Sequence, residues 1–385
     1  MSYGPRKRRQ VKKKVEEKGL ETFAFLIHPF DIQDVVKKYK IAGKVSPKIV
    51  ASILKRRRPF VISEISGIKS STGAEAHGFF VVVPLLPWQF VELEEDYIME
   101  KIAKACKVSQ KVGAKIIGLG AFTAIPGGGG RLLANMVDVP ITTGNTYTTT
   151  LAIKGAEEAA KVMGLSLRNS KTAIVGATGS IGKACAQILA PQVGNLTLVG
   201  RDQGRLEEVQ STIKESSGCD ADVSCKISKA LNEADVVVTV TGAVDSIIYP
   251  DDLKPGAIVC DVARPRDVSK LVSEVRDDVL VIDGGIVDVP GKAKFGVDIG
   301  LPSGKAEGCI AETIILTLEK RYENYTIGKS INVEMVKEMD ALAKKHGFKL
   351  TGLRREEKLV TEQKIEEVKA NARKAINLKQ WTGVG

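Results

Sequence analysis

The stretch Thr172–Arg201, TAIVGATGSIGKACAQILAPQVGNLTLVGR, decides the fold. It opens on a short apolar run rich in β-branched residues, which reads as a buried strand. Gly176-Ala177-Thr178-Gly179-Ser180-Ile181-Gly182 follows at once, a variant of G-x-G-x-x-G, and an amphipathic helix then runs to Leu189. A second apolar strand, LTLVG, closes a βαβ unit. The first glycine makes the tight turn, and the later ones let backbone, pyrophosphate and helix come close together. Free N–H groups and a partial positive charge at the helix N-terminus complete a phosphate cradle. The residue at the end of the second strand faces the adenosine ribose. Arg201 suits the 2′-phosphate of NADP(H), while the neighbouring Asp202 keeps NAD open.

Downstream, strands and helices go on alternating: DVVVTV (235–240), AIVCDV (257–262) and VLVID (279–283). The expected class is α/β, a Rossmann-type doubly wound parallel sheet. Ligands of such sheets sit beyond the carboxyl ends of the strands, so Thr241-Gly242-Ala243 is expected near the nicotinamide half of the cofactor. Asp261 and Gly284-Gly285 hold equivalent strand-end positions, with ordinary turn chemistry as the alternative.

Upstream, TFAFLI (22–27), FFVVVPLL (79–86, cut short by Pro84) and KIIGL (115–119) read as strands around a helix over 96–112, giving an N-terminal α/β domain. Four consecutive glycines, Gly127 to Gly130, exclude a regular element there and make either a spacer or a loop that closes on a ligand. After Gly144-Asn145-Thr146 a long helix leads to Met163. The expected organisation is a basic tail (1–20), an N-terminal α/β substrate or catalytic domain (21–150), a Rossmann domain for NADP (151–305), C-terminal helices packing back (306–350) and a solvated, charged helix or tail (351–385).

The 385 residues suffice for two cores, and no run of 18 apolar residues marks a membrane span. No signal-type apolar segment follows the basic N-terminus, so the cytoplasm is the expected compartment. The six cysteines and three histidines show neither disulfide nor zinc spacing. The net charge of +11 is concentrated. Eight Lys or Arg face only Glu16 and Glu17 between Met1 and Lys18, and Lys55-Arg56-Arg57-Arg58 forms a second cluster. Such runs are solvated faces or attract acidic partners: nucleic acid, anionic lipid or an acidic protein. A homo-oligomer stays open.

Several motifs, in order along the chain, carry a resemblance: SGIKSSTG (66–73), KVGAKIIGLGAFTAI (111–125), TTGNT (142–146), GATGSIG (176–182), GGIVDVP (284–290), LPSGKAEGCIAETIILTLE (301–319) and KHGF (345–348). From about Phe23 to Phe348 the sequence resembles the cyanobacterial-type long-chain acyl-[acyl-carrier-protein] reductases, which make fatty aldehydes from acyl thioesters with NADPH. The resemblance implies acyl-carrier protein or acyl-CoA as acyl donor and Cys309, in GCIAE, as the nucleophile. Gly304 and Gly308 precede an apolar helix, so Cys309 is expected near a helix N-terminus, where a thiolate is favoured. Thr123-Ala124 stands where the family carries a Ser-Ser pair, and Tyr147 where it has histidine. Thr123 retains a hydroxyl for the thioester carbonyl; Ala124 does not. The layout is also similar to that of shikimate dehydrogenases, which would give Asn145 a small polyol to bind and leave Cys309 in the core. A third reading is an NADP-sensing or nucleic-acid-associated regulator, although no helix-turn-helix or zinc module is present.

Overall fold

The computed structural model describes residues 13, 15 and 17–382, apart from 329, 330 and 357. The chain divides into two compact units. One comprises 1–145, 287–330 and 339–349; the other 146–286, 331–338 and 350–385. The basic stretch 1–18 falls almost wholly outside the described residues.

The first unit is built on a six-stranded mixed sheet. Its strands are β1 (Glu21–Ile27), β2 (Phe60–Lys69), β3 (Glu75–Val82), β4 (Ile116–Leu119), β5 (Ile141–Thr142) and the segment Gly291–Lys294. The spatial order is Gly291–Lys294, β2, β3, β1, β4, β5. β1 runs parallel to both neighbours, β3 and β4. With other elements on both faces, such a central strand is apolar along its length, as Thr22–Leu26 are buried. The helix Glu95–Lys111 buries Ile98, Ile102, Ala105 and Ser109, one stripe at helical spacing.

A second helix, Gly308–Leu318, is sealed on every side: each of its residues is buried except Cys309. Its approach to the sheet needs Gly118, where a Cβ would overlap Thr313 Oγ1 and the Phe25 ring. Burial all round explains why GCIAETIILTL lacks an amphipathic pattern.

The second unit carries a six-stranded parallel sheet of β6 (Lys171–Val175), β7 (Asn195–Val199), β8 (Asp222–Ser224), β9 (Val236–Thr239), β10 (Ile258–Asp261) and β11 (Leu280–Asp283). The order β8-β7-β6-β9-β10-β11 is doubly wound about β6, the dinucleotide-binding arrangement. β8 escaped the sequence reading because it has three residues, none of them fully buried. Ala152, Ala156, Ala159 and Ala160 of the helix Asn145–Met163 pack into this core.

The C-terminal stretch holds a helix, one of the two expected forms, but it is not wholly solvated. Glu362–Thr382 is a helix whose Ile365 and Val368 join the core of the second unit, with Ala372 also buried. Spaced three and four apart, these residues form a narrow apolar stripe that the surrounding Lys and Glu conceal in the sequence. Among the described residues no helix is long and apolar enough to cross a membrane.

Candidate functional site

In the second unit the glycine turn connects β6 to the helix Ser180–Leu189. Gly176 has φ +84°, and a Cβ there would lie 2.6 Å from the Val240 carbonyl oxygen. At Gly182 a Cβ would overlap the carbonyl of Gly176, so this glycine lets the helix seat on the turn. Gly179, Ala177, Thr178, Ser180 and Ile181 complete the loop and first helical turn. The N-cap, Gly179, has no side chain to satisfy the leading N–H groups, which suits an anionic phosphate.

At the end of β7 the two candidate ribose ligands separate. Asp202 caps the next helix by accepting from Arg205 N at 3.1 Å, and it pairs with the Arg205 guanidinium at 3.5 Å. Arg201 is exposed and engages no described residue. Asp202 thus serves the next helix, while the exposed arginine beside it is available to a phosphate.

At the ends of β9 to β11 the structure supplies two anchors that the sequence reading missed. Asp267, fully buried, accepts from Thr239 Oγ1 at 2.6 Å, Thr241 N at 3.0 Å and Thr241 Oγ1. Asp283 holds Arg266 in a bidentate pair at 3.1 and 3.3 Å. Thr241-Gly242-Ala243 is therefore a rigid turn, with Ala243 N donating to Thr241 Oγ1. Asp261 is committed to its own loop, accepting from Ala263 N at 3.1 Å and Val268 N at 3.0 Å. Burial pushes its carboxyl up to about 7, against the pull of Arg264. Gly284 is a packing residue, since a Cβ there would lie 2.6 Å from Val262 Cγ2, and Gly285 turns the chain at φ +92°. Both aspartates sit several residues from their partners, a separation no local motif announces. A small cavity lined by Lys171, Asn195 and Asp222 opens at the amino ends of β6 to β8, and no fingerprint residue lines it.

In the first unit Cys309 is the second residue of the helix Gly308–Leu318. Gly144, at φ +75°, presses against it: a Cβ at 144 would overlap Cys309 Cα and Cβ. The TTGN loop and the cysteine are thereby brought together, and Asn145 begins its helix from that contact. One turn beyond Cys309, fully buried Glu312 accepts from Thr142 Oγ1 at 2.6 Å and Thr326 Oγ1 at 2.7 Å. Thr326 has φ +49°, the left-handed region, which costs a β-branched residue about 1–3 kcal/mol. Two hydrogen bonds hold it there: its own hydroxyl donates to Glu312, and Thr143 Oγ1 donates to its carbonyl at 2.6 Å. No local motif announces Glu312 and Thr326 as partners, 14 positions apart.

The electrostatics correct one expectation. The Cys309 thiol is raised, not lowered. Burial is the main cause and Glu307 and Glu312 add to it, while the Ile310 N–H of the helix terminus pulls the other way and loses. A helix N-terminus favours a thiolate only where the sulfur stays solvated or meets a cation. Thr123 is also constrained: it is buried and its hydroxyl donates to the Gly120 carbonyl at 2.8 Å, so that proton is already committed. The four glycines form a left-handed turn rather than a slack spacer. All have φ between +66° and +84°, Gly127 N donates to Glu95 Oε1, and Gly328 N donates to the Gly129 carbonyl.

Three distant motifs meet in the same unit. Ser70 Oγ lies 2.7 Å from His346 Nδ1, and His346 Nε2 lies 2.5 Å from Glu319 Oε1. Ser70 is buried and also holds Thr72 N at 3.0 Å, so this chain of groups is a staple between the β2–β3 turn and the KHGF segment.

Comparison with known proteins places the sequence among NAD(P)-dependent enzymes. A family model for shikimate / quinate 5-dehydrogenase matches residues 157–283, the heart of the second unit. The chain is 31% identical over 335 residues to the aminotransferase PigE of Serratia sp., a match that covers 85% of this chain and 39% of that protein. It thus spans well under half of that longer relative. It is 28% identical over 305 residues to the long-chain acyl-[acyl-carrier-protein] reductase of Synechococcus elongatus, covering 75% of this chain and 87% of the relative. Among solved structures, glutamyl-tRNA reductase from Methanopyrus kandleri aligns at 17% identity and TM-score 0.29, over 74% of this chain and 56% of its own. The chain is related to NAD(P)-dependent reductases, and its cofactor is a nicotinamide dinucleotide.

Proposed function

We propose that the protein reduces a fatty acyl thioester to the aldehyde with NADPH, through an acyl group held on Cys309. One observation carries the reading: in a helix otherwise sealed in the core, only the cysteine is partly exposed, even though its sulfur is desolvated enough for burial to raise the thiol. The TTGN loop is folded directly onto it. Core packing alone would bury that position like its ten neighbours.

With its thiol raised, Cys309 rests protonated, which spares a standing nucleophile from oxidation. Acylation then needs the sulfur to lose its proton as it attacks the thioester carbonyl. The S–H bond breaks, the new C–S bond forms, and the donor thiol leaves with the proton. Glu312 holds Thr142 and Thr326 in place, and Thr142 fixes the backbone of Gly144 beside the sulfur through Gly144 N. When bound, the cofactor supplies the hydride that reduces the acyl carbon. Arg201 selects the 2′-phosphorylated form, since Asp202 is engaged elsewhere. Acyl-carrier protein and acyl-CoA both present the required thioester.

The test is incubation with acyl-ACP or acyl-CoA. Without cofactor, intact mass should gain one acyl group on wild type and none on Cys309→Ser. With NADPH, gas chromatography should detect aldehyde, more than with NADH. A Cys309→Ser variant that still reduces thioesters, or a wild type that yields neither adduct nor aldehyde with any donor, rejects the reading. Turnover of a polyol by that variant would instead favour the shikimate-dehydrogenase-like alternative.

A further inference from the structure

The segment between Val35 and Ser63 is chemically lopsided. It holds nine Lys or Arg and no Asp or Glu. Most of it folds as a 3₁₀ turn, Lys40–Lys44, and the helix Pro47–Arg56. The helix spends one face on the core, where Val50, Ala51 and Leu54 are buried with Val35, Ala42 and Leu86. Its opposite face is also apolar. Ile49 and Ile53, one turn apart, are 53% and 58% exposed, and Ile41 on the preceding turn is 74% exposed. Nothing in the core requires these three isoleucines. Exposed Lys44, Lys48 and Arg56 surround them.

The platform is also held firmly. Lys101 caps the end of the helix through the Lys55 carbonyl, and Tyr97 Oη donates to the same oxygen at 2.5 Å. Arg57 lies over the Phe60 ring at 4.7 Å and Tyr39 at 5.3 Å.

The geometry points to this face as a docking surface for an anionic phospholipid bilayer. Each feature has a use there. Isoleucine tips enter the headgroup boundary, and the surrounding cations meet lipid phosphates, each worth roughly a fivefold gain in affinity near such a surface. The competing occupants fit less well. A second copy of the same face would set Lys44, Lys48 and Arg56 against the same cations. Nucleic acid would use the cations and leave three isoleucines in water. An acidic protein would need a pocket for those isoleucines, whereas a bilayer needs none.

The test is sedimentation of the full-length protein with vesicles of phosphatidylcholine alone or mixed three to one with phosphatidylglycerol. Wild type should pellet with the anionic vesicles and stay in solution with the neutral ones. Ile49→Ser/Ile53→Ser should weaken binding about tenfold, and Lys48→Glu/Arg56→Glu should also flatten its salt dependence. Thermal unfolding and NADPH binding should match wild type in both variants, because the altered side chains are exposed. Absence of binding to anionic vesicles overturns the proposal. So does equal binding by the isoleucine variant, which would assign the effect to the basic residues 1–18. Release from vesicles by an acidic carrier protein, or isoleucine-independent binding to a DNA duplex, would give the surface to another partner and overturn it equally. Since the readout is binding rather than turnover, the result is independent of whether Cys309 carries acyl groups.

Discussion

At the residue scale, the most informative group is Glu312, which acts on Cys309 in two ways. Its carboxylate organises Thr142 and Thr326, and its charge helps to keep the nearby thiol protonated. A glutamine keeps an oxygen that can accept both hydroxyls and removes the charge. Glu312→Gln should therefore shift the pH profile of Cys309 alkylation by iodoacetamide to lower pH, with the fold intact. An unchanged profile would show that the charge is not felt at the sulfur. His28 makes a second case. It is buried, its Nδ1 lies 2.9 Å from the Pro29 carbonyl, and its Nε2 accepts from Phe122 N at 3.3 Å. Burial lowers its pKa to about 4, so it is neutral in the folded state. The folded value lies below the unfolded value, so the associated stability is complete above pH ~6.5 and is lost as pH falls toward ~4. The loss is at most about 3.5 kcal/mol, at ~1.4 kcal/mol per unit. Urea midpoints measured across that window should fall more steeply for wild type than for His28→Gln.

At the scale of elements, the Ser70–His346–Glu319 staple couples segments that no β-ladder joins, beside the backbone bond from Ser71 N to the His346 carbonyl at 3.2 Å. His346→Ala removes two partners at once and leaves Ser70 and Glu319 to find others, a loss of about 1–3 kcal/mol. Hydrogen exchange should then rise selectively in 66–75 and 339–349. Protection that falls uniformly across the chain would contradict a local role. This staple also shows what a sequence can and cannot reveal. The glycine turn, the parallel strands and the helix carrying Cys309 are legible because local periodicity and turn chemistry encode them. His346 looked like one of three scattered histidines, since its partners are some 27 and 276 positions away. The direction of the Cys309 shift was misread for a similar reason. A helix terminus is a local feature, while burial and the Glu307 and Glu312 charges come from the packed surroundings.

On the scale of the whole molecule, the chain leaves the first unit at 145, builds most of the second, and returns at 287. The last helix belongs to the second unit, where Ile365 and Val368 cover its core. Deleting residues 362–385 should expose that stripe and lower the unfolding temperature by several degrees, with loss of NADPH binding on warming before any loss in the first unit. An unaltered melting curve would make the helix dispensable, as its charged sequence had suggested.

The interrupted first unit has a consequence for how the protein is made. When residues up to 145 have left the ribosome, β2 still lacks its outer neighbour, because Gly291–Lys294 has yet to be translated. The helix with Cys309 arrives later still. The strands of the cofactor unit emerge in the interval, so they can fold while the earlier sheet waits with an open edge, a state prone to mispairing. Any product truncated before 309 would carry the nucleotide fingerprint without the thiol. The thiol is thus added near the end of synthesis, after the strands that cradle the nucleotide.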